Sequence, residues 1–284
     1  MGRVTRRHPV QHLESSTSRR RLETLAVEEP LEIRINGEPL LVTMRTPGDD
    51  IDLVHGVLLS ESVVRLRSDV AGARYCDGAG RDGRNTYNVL DVRLAGHVMP
   101  PLPELRRKVL MTSACGICGT TTIEQVLSAS AFRLPAMVTI PPDVVLNAPD
   151  QLRSRQRGFD QTGGLHAAGL LSTDGALICV REDVGRHNAV DKVVGWALRE
   201  ERLPLANSIL VVSGRASFEL TQKAVLAGIP LLAAVSAPSS LAVDLARQAG
   251  LTLVGFVRGQ TMNIYSIRNA SETRPSVRDL DFAE

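Results

Sequence analysis

The chain has 284 residues, 43% of them hydrophobic and only 3% aromatic, and its 33 basic and 31 acidic side chains leave a net charge of +2. That length holds one large domain or two small ones, and so even a balance gives no ground for a nucleic-acid partner. No apolar run reaches the ~18 residues of a membrane span, and no secretory apolar segment follows the first arginines, so the sequence reads as cytoplasmic and not membrane-bound.

In chain order, residues 1–28 carry Arg3, Arg6, Arg7, Arg19, Arg20 and Arg21 with few apolar residues. They predict a solvated, disordered tail. "LEIRINGEPLLVTMR" alternates on both sides of Asn36-Gly37, which predicts a hairpin. "PGDDIDLVHGVLLSE" places Ile51, Val54 and Leu58 on one helical face, with Asp49 or Asp50 as cap. "CDGAGRDGRN" reads as a glycine-rich turn and "TYNVLDVRL" as a strand. Thr121 and Glu124 fit a capping box for a helix from Thr122. "TIPPDVVLNAPDQLRSRQ" reads as a proline-punctuated connector leading into a polar helix. From Gly164 onward, short continuous apolar runs alternate with helical periods, as in a buried parallel sheet. The helices there end at Gly228 and Gly250, residues suited to a left-handed cap. With so few aromatics, layered α/β packing is favoured. The division read is a basic tail over 1–28, a smaller β-rich part over 29–120, an α/β layer over 121–267, and a C-terminal tail over 268–284.

Four cysteines in a chain this long do not make a disulfide scaffold. Cys76 and Cys179 stand in strand-like contexts and read as small buried hydrophobes. Cys115 and Cys118 form the C-x-x-C of "LMTSACGICGTTT". A structural zinc site needs four closed ligands, and no second pair is present. A deaminase-type site needs H-x-E, whereas "LHAAGL" has Ala168 where the glutamate belongs. No permanently bound metal is expected. A thioredoxin-like dithiol sits on the first turn of a helix, whereas these thiols precede the expected helix start. Two further readings are a packed pair and an exposed carrier thiol on a loop freed by Gly116 and Gly119.

Three strand ends carry glycine beside arginine or histidine: "REDVGRHNAVDK", "VVSGRASFELTQK" and "GFVRGQTMNIYS". Together they suggest one polyanionic ligand at a shared edge. The bland alternative for the first is a capped, salt-bridged helix start. No Walker A and no dinucleotide G-x-G-x-x-G is present.

"TSACGICG", "TGGLHAAGL", "REDVGRHNAVDKVVG", "SGRASFELTQKAVLAGIPLLAAVSAPSSLAVDLA" and "GFVRGQTMNIYS" together resemble the FdhD family of formate dehydrogenase accessory sulfurtransferases, from about Pro30 to Ile267. The resemblance implies a three-layer α/β sandwich similar to the cytidine deaminase-like fold, and a homodimer. It implies a sulfur carrier that takes persulfide sulfur from a cysteine desulfurase. The sulfur passes to the bis-molybdopterin guanine dinucleotide cofactor, which formate dehydrogenase, the client, requires. Cys115 matches the persulfide cysteine, and Cys118 the second cysteine of that motif. Phe256, Val257, Arg258, Gly259, Gln260 and Thr261 match the cofactor-binding segment, while Arg215 and His187 are added from the strand-end pattern. The alternative is a chaperone that binds and inserts the cofactor without moving sulfur.

Overall fold

A computed structural model describes residues 4–76, 87–100, 122–135 and 140–267. Cys115, Cys118 and the glycine-rich turn expected at 76–85, beyond Cys76 itself, lie outside the described residues.

The first element corrects an expectation. Strands β1 (Thr5–Glu14) and β2 (Thr17–Ala26) pair antiparallel along their whole length, where the sequence predicted a disordered tail. A low apolar content rules out a buried core there, but not a ladder of backbone hydrogen bonds. Arg19 pairs with Glu14 and Arg21 with Glu23, so the arginines are not left to repel one another. An isolated two-stranded ribbon is marginal in water. This one rests through β2 on a short helix at Arg157–Thr162.

Next come β3 (Glu29–Ile35) and β4 (Glu38–Arg45), then β5 (Val70–Tyr75) and β6 (Val89–Leu94), in the sheet order β4-β3-β6-β5. The Asn36-Gly37 hairpin is as predicted. Both residues have positive φ, 51° and 85°, which matches the right-handed strand twist. The turn is tied to β6: the Leu94 amide donates to Asn36 Oδ1 and the Gly37 amide to Asp91 Oδ1.

Helix α1 (Asp50–Ser60) lies between this sheet and the long helix over 186–199. It is therefore buried on nearly every side, not on the single face read from Ile51, Val54 and Leu58. Asp49 occupies the cap position with φ 53°, and its carbonyl accepts the Leu53 amide, but its side chain makes no cap hydrogen bond among the described residues. Its carboxylate instead lies 3.4 Å from Arg181.

Helix α2 (Ile123–Ala129) is capped by Thr122 and Gln125, one residue later than the predicted box. The expected connector is itself helical. α3 (Pro142–Arg153) begins on Pro142, which suits a first turn that needs no amide donor there, and it tolerates Pro149 further in. α4 is the short helix Arg157–Thr162.

The larger sheet has six strands: β7 (His166–Ser172), β8 (Leu177–Asp183), β9 (Ser208–Val212), β10 (Leu231–Ala234), β11 (Thr252–Arg258) and β12 (Thr261–Ser266). Their order is β12-β11-β10-β9-β7-β8. β9, β10 and β11 are mutually parallel, and the flanking pairs are antiparallel. Helices α5 (Arg186–Arg199), α6 (Phe218–Leu226) and α7 (Ser240–Ala249) cover one face, and α3 covers the other. Side-chain alternation shows this directly. Leu210, Val212, Leu232 and Ala234 join the core under α5–α7, while Ile209, Val211, Leu231 and Ala233 join the core under α3. Both faces being covered explains why these strands read as continuous apolar runs. Gly228 and Gly250 follow α6 and α7 with φ of 74° and 70°, as expected.

The α1–α5 crossing is unusually close. A Cβ on Gly195 would stand 1.8 Å from the Asp52 carbonyl oxygen, and one on Gly56 2.0 Å from that of Asp191. The helices meet backbone to backbone. One core cluster consequently runs from the small sheet through α1 and α5 to the large sheet. No helix among the described residues is long and apolar enough to cross a membrane.

Candidate functional site

The C-terminal ends of β9, β10 and β11 lie side by side, and the loops after them are laced together. The Ser236 amide donates to the Gly214 carbonyl, Ala216 to Ala237, and Ser239 to Ala216. The Phe256 amide donates to the Ser236 carbonyl. Because β7 runs antiparallel to β9, its first residue, His166, comes to the same edge. A Cβ on Gly214 would lie 3.6 Å from the His166 ring. His166 also pairs with Asp183 at the end of β8, which brings in the start of α5. The three strand ends that the sequence suggested lie at a shared edge do share one.

Two side chains of α5's first turn belong to it. Burial, followed by the charges of Arg186 and His187, pushes His166 below the ordinary histidine range. The Nε of Arg186 is buried and has no hydrogen-bond partner among the described residues. His187 Nε2 lies 3.3 Å from Ser217 Oγ and 3.8 Å from Glu219 on α6. A hydrogen bond with His187 is the main reason the Glu219 carboxyl falls to about 2. Arg215 is exposed on the loop before α6.

The segment 256–261 is a tight return between β11 and β12. Phe256 has φ 53°, an outlying conformation for a bulky side chain, and 38% of it is exposed. Arg258 lies over its ring at 5.9 Å, and Gly259 turns the chain with φ 52°. Gln260 and Thr261 are exposed. Val257 differs from its neighbours. It is buried in the core under α3, so only its backbone is available to a ligand. Strained, exposed aromatic backbone at a strand end is the kind of feature that ligand sites hold in place.

The remaining charged residues of "REDVGRHNAVDK" are framework. Asp183 is fully buried, receives the Thr46 and Gly185 amides, and pairs with Lys192 at 2.8 Å. Lys192 also donates to the Thr46 carbonyl. Asn188 donates to Met44 O and to Asp183. Asp191 accepts from Ser60 and Lys223. Glu182 receives the Gly158 and Phe159 amides at the start of α4, and Arg181 pairs with Asp52. Removing one member of such a buried pair strands a charge, at a cost of about 3–5 kcal/mol. Lys192→Met should therefore lower unfolding stability by about that amount, read from the urea midpoint. A loss of under about 1 kcal/mol would mean that Asp183 is satisfied by its amide donors alone.

Among the described residues no group of three or more His, Cys, Asp or Glu side chains is placed to hold a metal ion. Cys179 is buried in β8, and burial pushes its thiol up to about 11, so it is no nucleophile at neutral pH.

A profile of the FdhD/NarQ family matches residues 26–271. The chain belongs to that family. It is 62% identical over 266 residues to the sulfur carrier protein FdhD of Nocardia farcinica, covering 93% of this chain and 94% of that protein. It is 56% identical over 268 residues to the sulfur carrier protein FdhD of Streptomyces coelicolor, covering 94% and 95%. Its fold is similar to a crystal structure described as a formate dehydrogenase accessory protein, from Desulfotalea psychrophila. The TM-score is 0.74 at 22% identity, over 94% of this chain and 99% of that one. The β1–β2 ribbon lies almost wholly outside the family profile, which begins at residue 26. The strand-end edge lies inside it.

Sequence reasoning passed over Ser217 and Glu219. A serine and a glutamate on the first turn of a helix are an ordinary capping pattern. Only the 30-residue separation closed by the fold shows that Ser217 meets His187.

Proposed function

We infer that this chain is a sulfur carrier in the maturation of formate dehydrogenase. The observation that carries this reading is its membership of the FdhD/NarQ family, with relatives above 50% identity named sulfur carrier protein FdhD over more than nine-tenths of the chain. In this reading the Cys115 thiolate attacks the terminal sulfur of a persulfide on a cysteine desulfurase. The new S–S bond forms on Cys115, and the desulfurase cysteine leaves as thiolate. Cys118 assists the relay or resolves the persulfide. The acceptor is the bis-molybdopterin guanine dinucleotide cofactor, bound as cargo, and the protein works as a homodimer.

The strand-end edge is the proposed cofactor site. Arg215, Arg258 and His187 supply donors for pyrophosphate oxygens, and guanidinium groups can bind these with paired donors. The exposed Phe256 ring offers a face to a guanine base. Gly259, Gln260 and Thr261 bring backbone and polar groups beside it, and Val257 contributes backbone only.

Intact mass after incubation with a cysteine desulfurase and cysteine tests the transfer. The expected result is a gain of one sulfur atom that reductant removes and that Cys115→Ala lacks. No gain, with cofactor binding retained, would favour a chaperone that inserts the cofactor without carrying sulfur.

A further inference from the structure

The sulfur-carrier reading gives the β1–β2 ribbon nothing to do. At the rise of a strand its ten paired positions span roughly 33 Å. Its hold on the body is at the base, where β2 meets α4 and a Cβ on Gly164 would stand 3.8 Å from Ala26. The register places Pro9, Leu13 and Leu22 on one face. Leu13 is 71% exposed and Leu22 64%, and a two-stranded ribbon needs such a face packed against something. A further strand along β1 does not supply this. The Val27 amide donates to the Val4 carbonyl, and alternate pairs counted from there are hydrogen-bonded, so Pro9 falls on a pair that is not. The missing N–H of Pro9 therefore lies on the outer edge of β1, where it interrupts any added ladder.

Charge points to what covers the ribbon. Residues 1–26 hold six arginines and two glutamates, which leaves 27 basic and 29 acidic side chains for residues 27–284. The arm is basic and the body slightly acidic. The ribbon's tip carries Arg19 and Arg20, both exposed. Its base adjoins a cleft of about 290 Å³ lined by Glu29, Asp49, Asp50 and Asp52 and by the rings of Tyr75 and Tyr87. Two of these carboxylates are saturated. Arg45 takes both oxygens of Asp50, and Arg181 and Arg199 take those of Asp52. Glu29 and Asp49 are 38% and 53% exposed, and they meet Arg45 and Arg181 at 3.5 and 3.4 Å. They stay open to a further cation, for which the tyrosine rings also offer a face. Basic tip and acidic base are opposite ends of one rod, so they cannot meet within a chain. Across a two-fold axis they meet twice.

We propose that the ribbon is a dimerisation arm: two copies of the chain lay their ribbons antiparallel about a two-fold axis, each covering Leu13 and Leu22 of the other, and the Arg19–Arg20 tip of each docks at the Glu29–Asp49 cleft of the other. This rests on the homodimer in the reading above and assigns that dimer its surface. The sulfur-transfer step does not depend on it. Because the end contacts pair exposed charges, added salt should loosen the dimer.

Sedimentation equilibrium of the full chain gives the dimer dissociation constant. Arg19→Glu with Arg20→Glu reverses the tip. Glu28→Arg with Asp49→Arg reverses the base, Glu28 being exposed and next to the cleft. Each reversal should weaken the dimer by at least about tenfold, since like charges then face one another at both ends. An equal mixture of the two variants is the decisive sample. Each reversed tip there meets a reversed base, and each native tip a native base, so the constant should return to within about threefold of the wild type. Thermal unfolding checks that each variant folds, and Glu28→Arg alone replaces the base variant if that one does not. A wild type that stays monomeric would overturn the homodimer, and this inference with it, but not the carrier chemistry. A wild-type dimer that both reversals leave equally tight would overturn the arm alone and assign the ribbon to a different partner. Weakened variants that fail to recover on mixing would overturn the pairing of tip with base.

Discussion

Cells whose only copy carries Cys115→Ala should contain no more active formate dehydrogenase than cells lacking the protein. The purified variant should keep its thermal unfolding midpoint and its affinity for GDP-glucose, a guanosine diphosphate ester that probes the proposed cofactor site. The size of the effect follows from the chemistry. Sulfane transfer needs a thiolate to attack and to hold the sulfur, and alanine offers neither. Buried Cys179 is almost wholly protonated at neutral pH, with its thiol at about 11, and no substrate reaches it in β8. It cannot stand in. Cys118→Ala separates the two motif cysteines: its persulfide mass should still form, even where turnover is slower. Normal enzyme activity with Cys115→Ala would end the carrier reading.

Gly195→Ala should have the largest effect on folding of any glycine-to-alanine change among the described residues. Two terms compete. Alanine favours a helix interior over glycine by about 1 kcal/mol. Against this, the new Cβ would stand 1.8 Å from the Asp52 carbonyl oxygen, and the obstacle is backbone, which has no rotamer to change. Overpacking costs about 1–3 kcal/mol where side chains can give way, so a clash with a helix backbone belongs at or beyond the upper end. A net loss of at least about 2 kcal/mol is expected from denaturant titration. Gly56→Ala, facing the Asp191 carbonyl at 2.0 Å, should behave alike. A Gly195→Ala variant more stable than the wild type would show that the helices can part without cost.

Much of the architecture was legible because local pattern and tertiary burial agree. Asn36-Gly37 demanded a positive-φ turn and has one. The runs around Leu210 and Leu232 are apolar at every position because helices cover both sides of the sheet. Three things were hidden for a common reason: their partners lie far away in the chain. Asp52 meets Arg181 across 129 residues, so the charges of "REDVGRHNAVDK" could be read equally as ligands or as framework. Ser217 and Glu219 became notable only beside His187. Gly56 and Gly195 read as mildly unfavourable helix residues until the crossing brought each against a carbonyl. The β1–β2 ribbon was missed for another reason. It is held by backbone pairing, which leaves no mark in hydrophobic periodicity.

The glycine crossing also has a mechanical consequence. Helices separated by side chains can slide or pivot as those side chains change rotamer, and shear motions between domains work in this way. α1 and α5 have no such bearing at Gly56 and Gly195. The small sheet and the large sheet are therefore clamped to one another and move as a single block. Lobes that open and close on a hinge between the two sheets would have to part helices that meet backbone to backbone.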